Sequence, residues 1–318
     1  MVALATLIDM APFLSGEASE RARVAKAFGQ AFETTGFAMI VGHGVDERLE
    51  RDVYSATSEF FALPLEAKQA STAPEKTKGH GYLPIGIESV SATLSGETPP
   101  DLCEALVFRS LKRERAGATT NIWPVSPPTL APLVSQWFDQ IFALTQTLMR
   151  MSALALDLPE DFFASDFEDP SLVLRFVNYP DQATPPLPRQ LRYGAHHDYG
   201  GLTILRQDQA PGALQIADLD GNWHDATPVA GSFVINVGDL MSRWTNGRWR
   251  STLHRVVNPP RELTGSSRRL SLVAFTGPNE NTEVACLPTC ARADRAPPAP
   301  VRAGDYVMAK LTASMDLH

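Results

Sequence analysis

The side chains best suited to chemistry stand at positions 196–198 and 254. His196-His197-Asp198 is a His-x-Asp triplet. In an extended strand, residues i and i+2 share a face. His196 and Asp198 then present an imidazole and a carboxylate side by side, with His197 turned away. His254, in the strand-like run Ser251-Thr-Leu-His-Arg-Val256, offers a second imidazole. Two imidazoles and one carboxylate on one face leave three positions of a metal ion open. That set suits Fe(II), which must take O2 and a chelating co-substrate together. A structural zinc site would close its fourth position with another Cys or His.

The same alternation places Arg269 and Ser271 on one face, continued by Val273 and Phe275. A guanidinium beside a hydroxyl on an apolar wall is a carboxylate receptor, because the Arg fork binds a carboxylate through two parallel hydrogen bonds. Tyr179, just before Pro180, adds a phenol donor. Taken singly, each residue has a plainer reading. His196 fits a hydrogen-bonded core histidine, His254 a surface strand residue, and Asp198 a turn cap ahead of Gly200-Gly201. Arg269, next to Arg268, fits a strand-edge charge. His197 is an alternative ligand, but it would face away from Asp198. His43, His80, His224 and His318 have no partner pattern and read as structural.

These residues need a scaffold. Apolar positions at helical spacing predict helices over 19–33, 46–61 and 131–156, the last through Leu133, Trp137, Ile141, Leu144, Leu148, Met151 and Ala155. Phe37–Val41 reads as a buried strand. Residues 71–128, rich in Gly, Pro, Ser and Thr, read as long loops with short extended pieces. Beyond residue 170, strand-like runs take over at 171–179, 193–197, 202–206, 213–217, 232–237, 252–257, 268–276 and 305–310. Many short strands separated by turn residues predict an antiparallel sandwich or barrel. The expected fold is α+β: a double-stranded β-helix (jelly roll) with a helical N-terminal half packed on it. Residues 1–120 form the N-terminal helical and loop region, and 121–318 the jelly roll with its supporting helix.

Composition narrows the function. The 318 residues are 44% hydrophobic and 20% charged, with a net charge of −8. An acidic chain without basic blocks is a poor partner for nucleic acid or anionic membrane. The one short basic cluster, Lys112-Arg113-Glu114-Arg115, reads as a solvated loop. No run is long enough to cross a bilayer, and the N-terminus lacks the basic and apolar regions of a signal peptide. Cys103, Cys286 and Cys290 are an odd number without a CxxC spacing, which fits a reduced cytoplasmic setting.

With these residues placed, the chain resembles the isopenicillin N synthase-like 2-oxoglutarate/Fe(II) oxygenases over almost its whole length. The similar segments are Leu7-Ile8-Asp9, Gly36-Phe37 through Val41-Gly42-His43-Gly44-Val45, Phe60-Phe61-Ala-Leu-Pro64 with Lys68, and Asn121-Ile-Trp-Pro124. They continue with Asn178-Tyr179-Pro180, His196-His-Asp198 with Gly201-Leu-Thr203, Gly212-Ala-Leu-Gln215, Asn222-Trp223, Val234-Ile-Asn-Val-Gly-Asp239, Thr245-Asn-Gly247 and the run ending at Val256. The resemblance implies His196, Asp198 and His254 as iron ligands. It implies Arg269, Ser271 and Tyr179 as the 2-oxoglutarate site, and O2 as a further co-substrate.

The activity implied is hydroxylation, desaturation or ring closure of a small-molecule metabolite, with release of succinate and CO2. Phe275 by resemblance, and Tyr82, Ile85, Ile87 and Phe108 from the 79–110 loops, are the expected substrate wall. Arg109 could bind an acidic substrate. Two alternatives stand beside this reading: an Fe(II) oxidase of the same fold that needs no 2-oxoglutarate, and a non-catalytic binding protein on the same scaffold. The chain departs from the family pattern at His197, where Thr is usual. It also has a longer connection at Arg261–Ser267, and little chain after Lys310 to cover the pocket. Oligomeric state is not legible.

Overall fold

The computed structural model describes residues 5–74, 79–95, 98–118, 120–182, 184–210, 212, 214–260 and 266–315. The helices are α1 (Ala11–Ser15), α2 (Ala18–Thr34), α3 (Glu47–Ala62), α4 (Leu65–Gln69), α5 (Ala92–Ser95), α6 (Leu111–Arg115), α7 (Leu130–Ala155), α8 (Asp239–Trp244) and α9 (Ala303–Met315). The strands are β1 (Thr6–Asp9), β2 (Phe37–Val41), β3 (Gly81–Leu83), β4 (Glu104–Phe108), β5 (Ser171–Tyr179), β6 (Tyr193–His196) and β7 (Leu202–Gln207). They continue with β8 (Leu214–Ala217), β9 (Trp223–Asp225), β10 (Phe233–Val237), β11 (His254–Val256), β12 (Arg269–Gly277), β13 (Glu283–Val284) and β14 (Val301–Arg302).

Two sheets carry the architecture. The larger runs β1-β2-β10-β7-β12-β5-β4-β3 and the smaller β6-β11-β8-β9. Apart from the parallel pair β1-β2, the pairings within both are antiparallel. The N-terminal region does more than cover the roll with helices: β1 and β2 extend one end of the larger sheet, and β3 and β4 the other.

Strand alternation divides the apolar side chains between two cores. On the outer face, Leu172, Leu174, Phe176, Leu270 and Leu272 pack with Phe28 and Phe32 of α2 and Trp137, Ile141 and Leu148 of α7. Each such side chain contributes about 1.5–3 kcal/mol by leaving water. On the inner face, Cys103, Ala105, Val107, Val177 and Tyr179 form a second cluster with Val256 of the smaller sheet, and Val173 and Val273 pack on it. Among the described residues, no helix is long and apolar enough to cross a membrane.

One expected strand is a helix. Residues 305–310 belong to α9, and the extended chain ends at Arg302. Val307 and Leu311 stand four apart among good helix formers (Met308, Ala309, Lys310), so local propensity favours the helix. Tyr306 Oη donates to Asp239 Oδ2 at 3.1 Å, and Lys310 Nζ lies 3.2 Å from the same oxygen. Ala303–Met315 is thus a helix tied to the start of α8. Residues 261–265 of the longer connection lie outside the described residues.

Candidate metal centre and co-substrate site

β6 and β11 are antiparallel neighbours, and His196 and His254 are direct partners in their register. Direct partners share a face, so the imidazoles lie side by side, with ring centroids 4.2 Å apart. His196 Nδ1 is 2.9 Å from Gly194 O, and His254 Nδ1 is 3.0 Å from Thr252 O. A carbonyl only accepts, so each Nδ1 carries a proton, and Nε2 is the nitrogen left to face a metal. Burial, followed by the charge of His196, pulls the His254 imidazole down to about 4, which leaves it neutral at pH 7.

Asp198 lies just past the end of β6. Its carbonyl accepts from Asp239 N at 2.8 Å. Its Oδ2 accepts from Thr203 Oγ1 at 2.5 Å and Asn236 Nδ2 at 2.7 Å. Oδ1 faces both Nε2 atoms, at 3.5 Å from His196 and 3.7 Å from His254. Burial opposes the charge of Asp198, but His254, His196 and the Thr203 hydroxyl outweigh it and hold the carboxyl well below its usual range.

These three donors lie within 4.8 Å of one another, and all three residues are buried. An octahedral ion with bonds of ~2.1 Å sets adjacent donors about 3 Å apart, so the side chains close on such an ion with small shifts. The donor set therefore fits a divalent transition metal with one side left open. His197 does not join it: its Nδ1 lies 3.0 Å from Ser251 O.

A close backbone approach supports this geometry. A Cβ on Gly238 would fall 2.4 Å from Gly200 O. Without one, the turn into α8 runs against the turn after Asp198, which lets Asp239 N reach the Asp198 carbonyl.

Arg269 and Tyr179 are direct partners in β12 and β5, and Ser271 pairs with Val177 and Gln207. All of them share the inner face. Arg269 is 1% exposed. Its Nη2 donates to Gln207 Oε1 at 2.6 Å and its Nη1 to Ala210 O at 3.3 Å, while Asp208 Oδ1 stands 3.8 Å away. Arg269 Nε has no hydrogen-bond partner among the described residues. A buried guanidinium with an unused N–H costs free energy unless something accepts from it. A carboxylate with matching geometry would remove that cost.

Phe275 and Val273 are half-buried on this inner face, where substrate-wall residues belong. Tyr82 and Phe108 do not share it, a correction to the expected wall. Strand alternation turns them to the outer core, where Tyr82 Oη donates to Glu104 Oε2 and Phe108 stacks on Trp123. Treating 79–110 as loops gave no alternation to read. Ile85 and Ile87 are exposed loop residues, and the Arg109 backbone N–H donates to Asn121 Oδ1.

Sequence reasoning gave no role to Thr203, Asn236, Gln207 or Asp101. Asn236 carried a signal: it is the one polar residue in the strand Phe-Val-Ile-Asn-Val, and an amide in an apolar strand needs a buried partner. The inner face also holds Arg175, whose two terminal nitrogens donate to the two oxygens of Glu88 at 3.0 and 2.5 Å.

Comparison with known proteins bears on the family of the whole chain. The family model of the 2OG-Fe(II) oxygenase superfamily matches residues 168–278. The model described as non-haem dioxygenase in morphine synthesis N-terminal matches 6–126. A 2-oxoglutarate-Fe(II) type oxidoreductase of Emericella nidulans is 31% identical over 92% of this chain and 85% of its own. A homoarginine-6-hydroxylase of Glycine max is 33% identical over 89% of this chain and 88% of its own. Among solved structures, a full-length Neurospora crassa protein in complex with alpha-KG and thymine superposes with a TM-score of 0.86 at 30% identity, over 97% of this chain and 96% of that one.

Proposed function

The chain belongs to the 2OG-Fe(II) oxygenase superfamily, and on that footing we propose that His196, Asp198 and His254 hold one Fe(II) ion and that Arg269, Ser271 and Tyr179 receive the distal carboxylate of 2-oxoglutarate. The protein is an Fe(II)- and 2-oxoglutarate-dependent oxygenase. Its substrate is a small-molecule metabolite that it hydroxylates, desaturates or cyclises. The observation that carries the site assignment is the buried His196–Asp198–His254 cluster on the same interior as Arg269.

Bound iron, with 2-oxoglutarate and O2, supplies an oxidant strong enough to remove hydrogen from an unactivated carbon, with release of succinate and CO2. The protein supplies orientation. The carbonyls of Gly194 and Thr252 fix both imidazoles with Nε2 inward. Thr203 and Asn236 hold Oδ2 of Asp198 and leave Oδ1 for the metal. Arg269 Nε and the Ser271 hydroxyl offer donors that would hold the far carboxylate of the co-substrate and leave its 2-oxo acid end for the metal. Val177, Val273 and Phe275 line the space between and keep water from it.

A small substrate fits the inner face, which offers apolar side chains with a few polar groups. The chain works as two parts, with residues 1–120 walling the pocket and 121–318 carrying the metal. Three free cysteines fit a reduced cytoplasmic setting.

The test is O2 consumption and succinate formation with Fe(II), with and without 2-oxoglutarate, across a panel of small acids, amino acids and aromatic or terpenoid compounds. Turnover that requires both Fe(II) and 2-oxoglutarate is expected. Turnover without 2-oxoglutarate would replace this reading with the oxidase one.

A further inference from the structure

The proposed ligand His196 is supported from outside its own sheet. Asp101, in the chain leading into β4, is 2% exposed. Its Oδ1 accepts from Gly194 N at 2.8 Å, and its Oδ2 from Val90 N at 2.9 Å. The same Gly194 offers its carbonyl to His196 Nδ1 at 2.9 Å. One carboxylate therefore joins the segment 88–91 to the residue that orients His196. Two backbone bonds close the junction: Asp101 N donates to Glu88 O at 2.8 Å, and Leu102 N to Leu191 O at 3.0 Å. The approach is tight, since a Cβ on Gly194 would fall 2.5 Å from Ser91 Oγ and 2.8 Å from Ser91 Cβ.

The same segment reaches His196 by a second route. Glu88 accepts from both terminal nitrogens of Arg175 on the inner face. The Arg175 guanidinium lies 5.6 Å from the centre of the Tyr193 ring, and that ring meets the His196 ring edge to face at 4.8 Å. His254 has different support: Thr252 O on its Nδ1 and the Phe37 ring at 5.4 Å. Neither comes from residues 88–101. A buried carboxylate is costly, and here two backbone N–H groups offset that cost. Hydrogen bonds also fix distance and direction, which apolar packing does not.

We infer that Asp101 is a positioning residue for His196, through which the segment 88–91 sets where that imidazole stands at the metal. This rests on the reading that His196 is an iron ligand. Asp101 fixes Gly194, the Gly194 carbonyl fixes the ring, and the contacts from Glu88 through Arg175 and Tyr193 steady the ring from its side. The chain that reaches the inner face through Glu88 is thus fastened to one ligand and not to the other.

The test uses the full chain with nitrogen-labelled histidines. Fe(II) affinity is titrated without O2, and the His196 and His254 rings are followed by NMR with Zn(II) as a diamagnetic probe. Asp101→Ala should weaken Fe(II) binding about tenfold, the low end for partners that orient a ligand. It should shift the His196 ring signals and speed exchange of its Nδ1 proton, while the His254 ring behaves as in wild type. General loosening of the fold would disturb both rings alike. If Asp101→Ala does not fold, Asp101→Asn decides. It keeps the shape but has one acceptor for two N–H groups, so it should move the same His196 signals and weaken iron by a smaller factor. Wild-type iron affinity, an undisturbed His196 ring, or equal disturbance of both rings overturns the role of Asp101 and leaves the ligand assignment standing. Wild-type iron affinity in His196→Ala overturns the ligand reading, and this inference with it.

Discussion

Asn236 holds one half of the Asp198 carboxylate: its Nδ2 donates to Oδ2 at 2.7 Å and leaves Oδ1 to face the two imidazoles. The amide comes from β10 in the larger sheet, so the proposed metal ligand is braced across the roll. Loss of such a brace typically weakens metal affinity about 10- to 100-fold. Asn236→Ala is therefore expected to lower Fe(II) affinity by that range in a folded protein, read by iron titration alongside circular dichroism. Wild-type iron affinity in this variant would remove Asn236 from the site.

His196→Ala and His254→Ala should each abolish iron retention after desalting, because two remaining donors hold a labile ion poorly. His197→Ala is the control. Its ring bonds outward to Ser251, so it should keep its iron. Full activity of His196→Ala or His254→Ala in an iron-supplemented assay would sink the ligand assignment.

Arg269→Ala should raise the 2-oxoglutarate requirement and spare iron binding. A charge-assisted carboxylate contact contributes roughly 1.5–3 kcal/mol, or about 10- to 100-fold in apparent affinity. An unchanged 2-oxoglutarate dependence would move the receptor elsewhere.

How far the sequence reached depended on where alternation could be read. His196, His254, Arg269 and Ser271 sit in or beside strands whose apolar pattern was visible, and the structure brings them to one interior. Tyr82 and Phe108 were misplaced because β3 and β4 are short and lie among Gly- and Pro-rich chain, which hid their faces. Asp101 was invisible for another reason. Nothing local marks an aspartate as buried, and its partner Gly194 is distant in sequence. The helix α9 was missed because Val307 and Leu311 fit either period over so short a run.

Asp101 gives a pH signature. Burial, supported by the charge of Glu88, pushes its carboxyl up to about 6, although Val90 N and Gly194 N donate to it. Its folded value lies above the unfolded one of 3.8. The folded state therefore binds this proton more tightly. The contribution is full below about pH 4 and is lost as pH rises through about 6, at most about 3 kcal/mol. Asp101→Asn cannot ionise, so its stability relative to wild type should improve from pH 4 to 7. Parallel urea-midpoint curves for the two proteins across that range would show that Asp101 ionises normally.

The last prediction concerns the network that claims Tyr82. Glu104 is buried on the outer face of β4, where its Oε2 accepts from Lys68 Nζ at 2.7 Å and Tyr82 Oη at 2.5 Å, and its Oε1 from Asn178 Nδ2 at 2.8 Å. Asn178 is the neighbour of Tyr179, so the network ties α4, β3 and β4 to the strand carrying the proposed co-substrate phenol. Lys68 is the only cation among these partners. Lys68→Met leaves a buried carboxylate without its counter-charge, which typically costs about 3–5 kcal/mol. Glu104→Gln keeps the shape and removes the charge. Lys68→Met should therefore lower the urea midpoint sharply, and adding Glu104→Gln to it should recover part of the loss. That recovery separates a stranded charge from lost packing, because removing Lys68's methylenes costs the same in both backgrounds. A double variant no more stable than Lys68→Met would show that Lys68 acts here through its apolar stem rather than its charge.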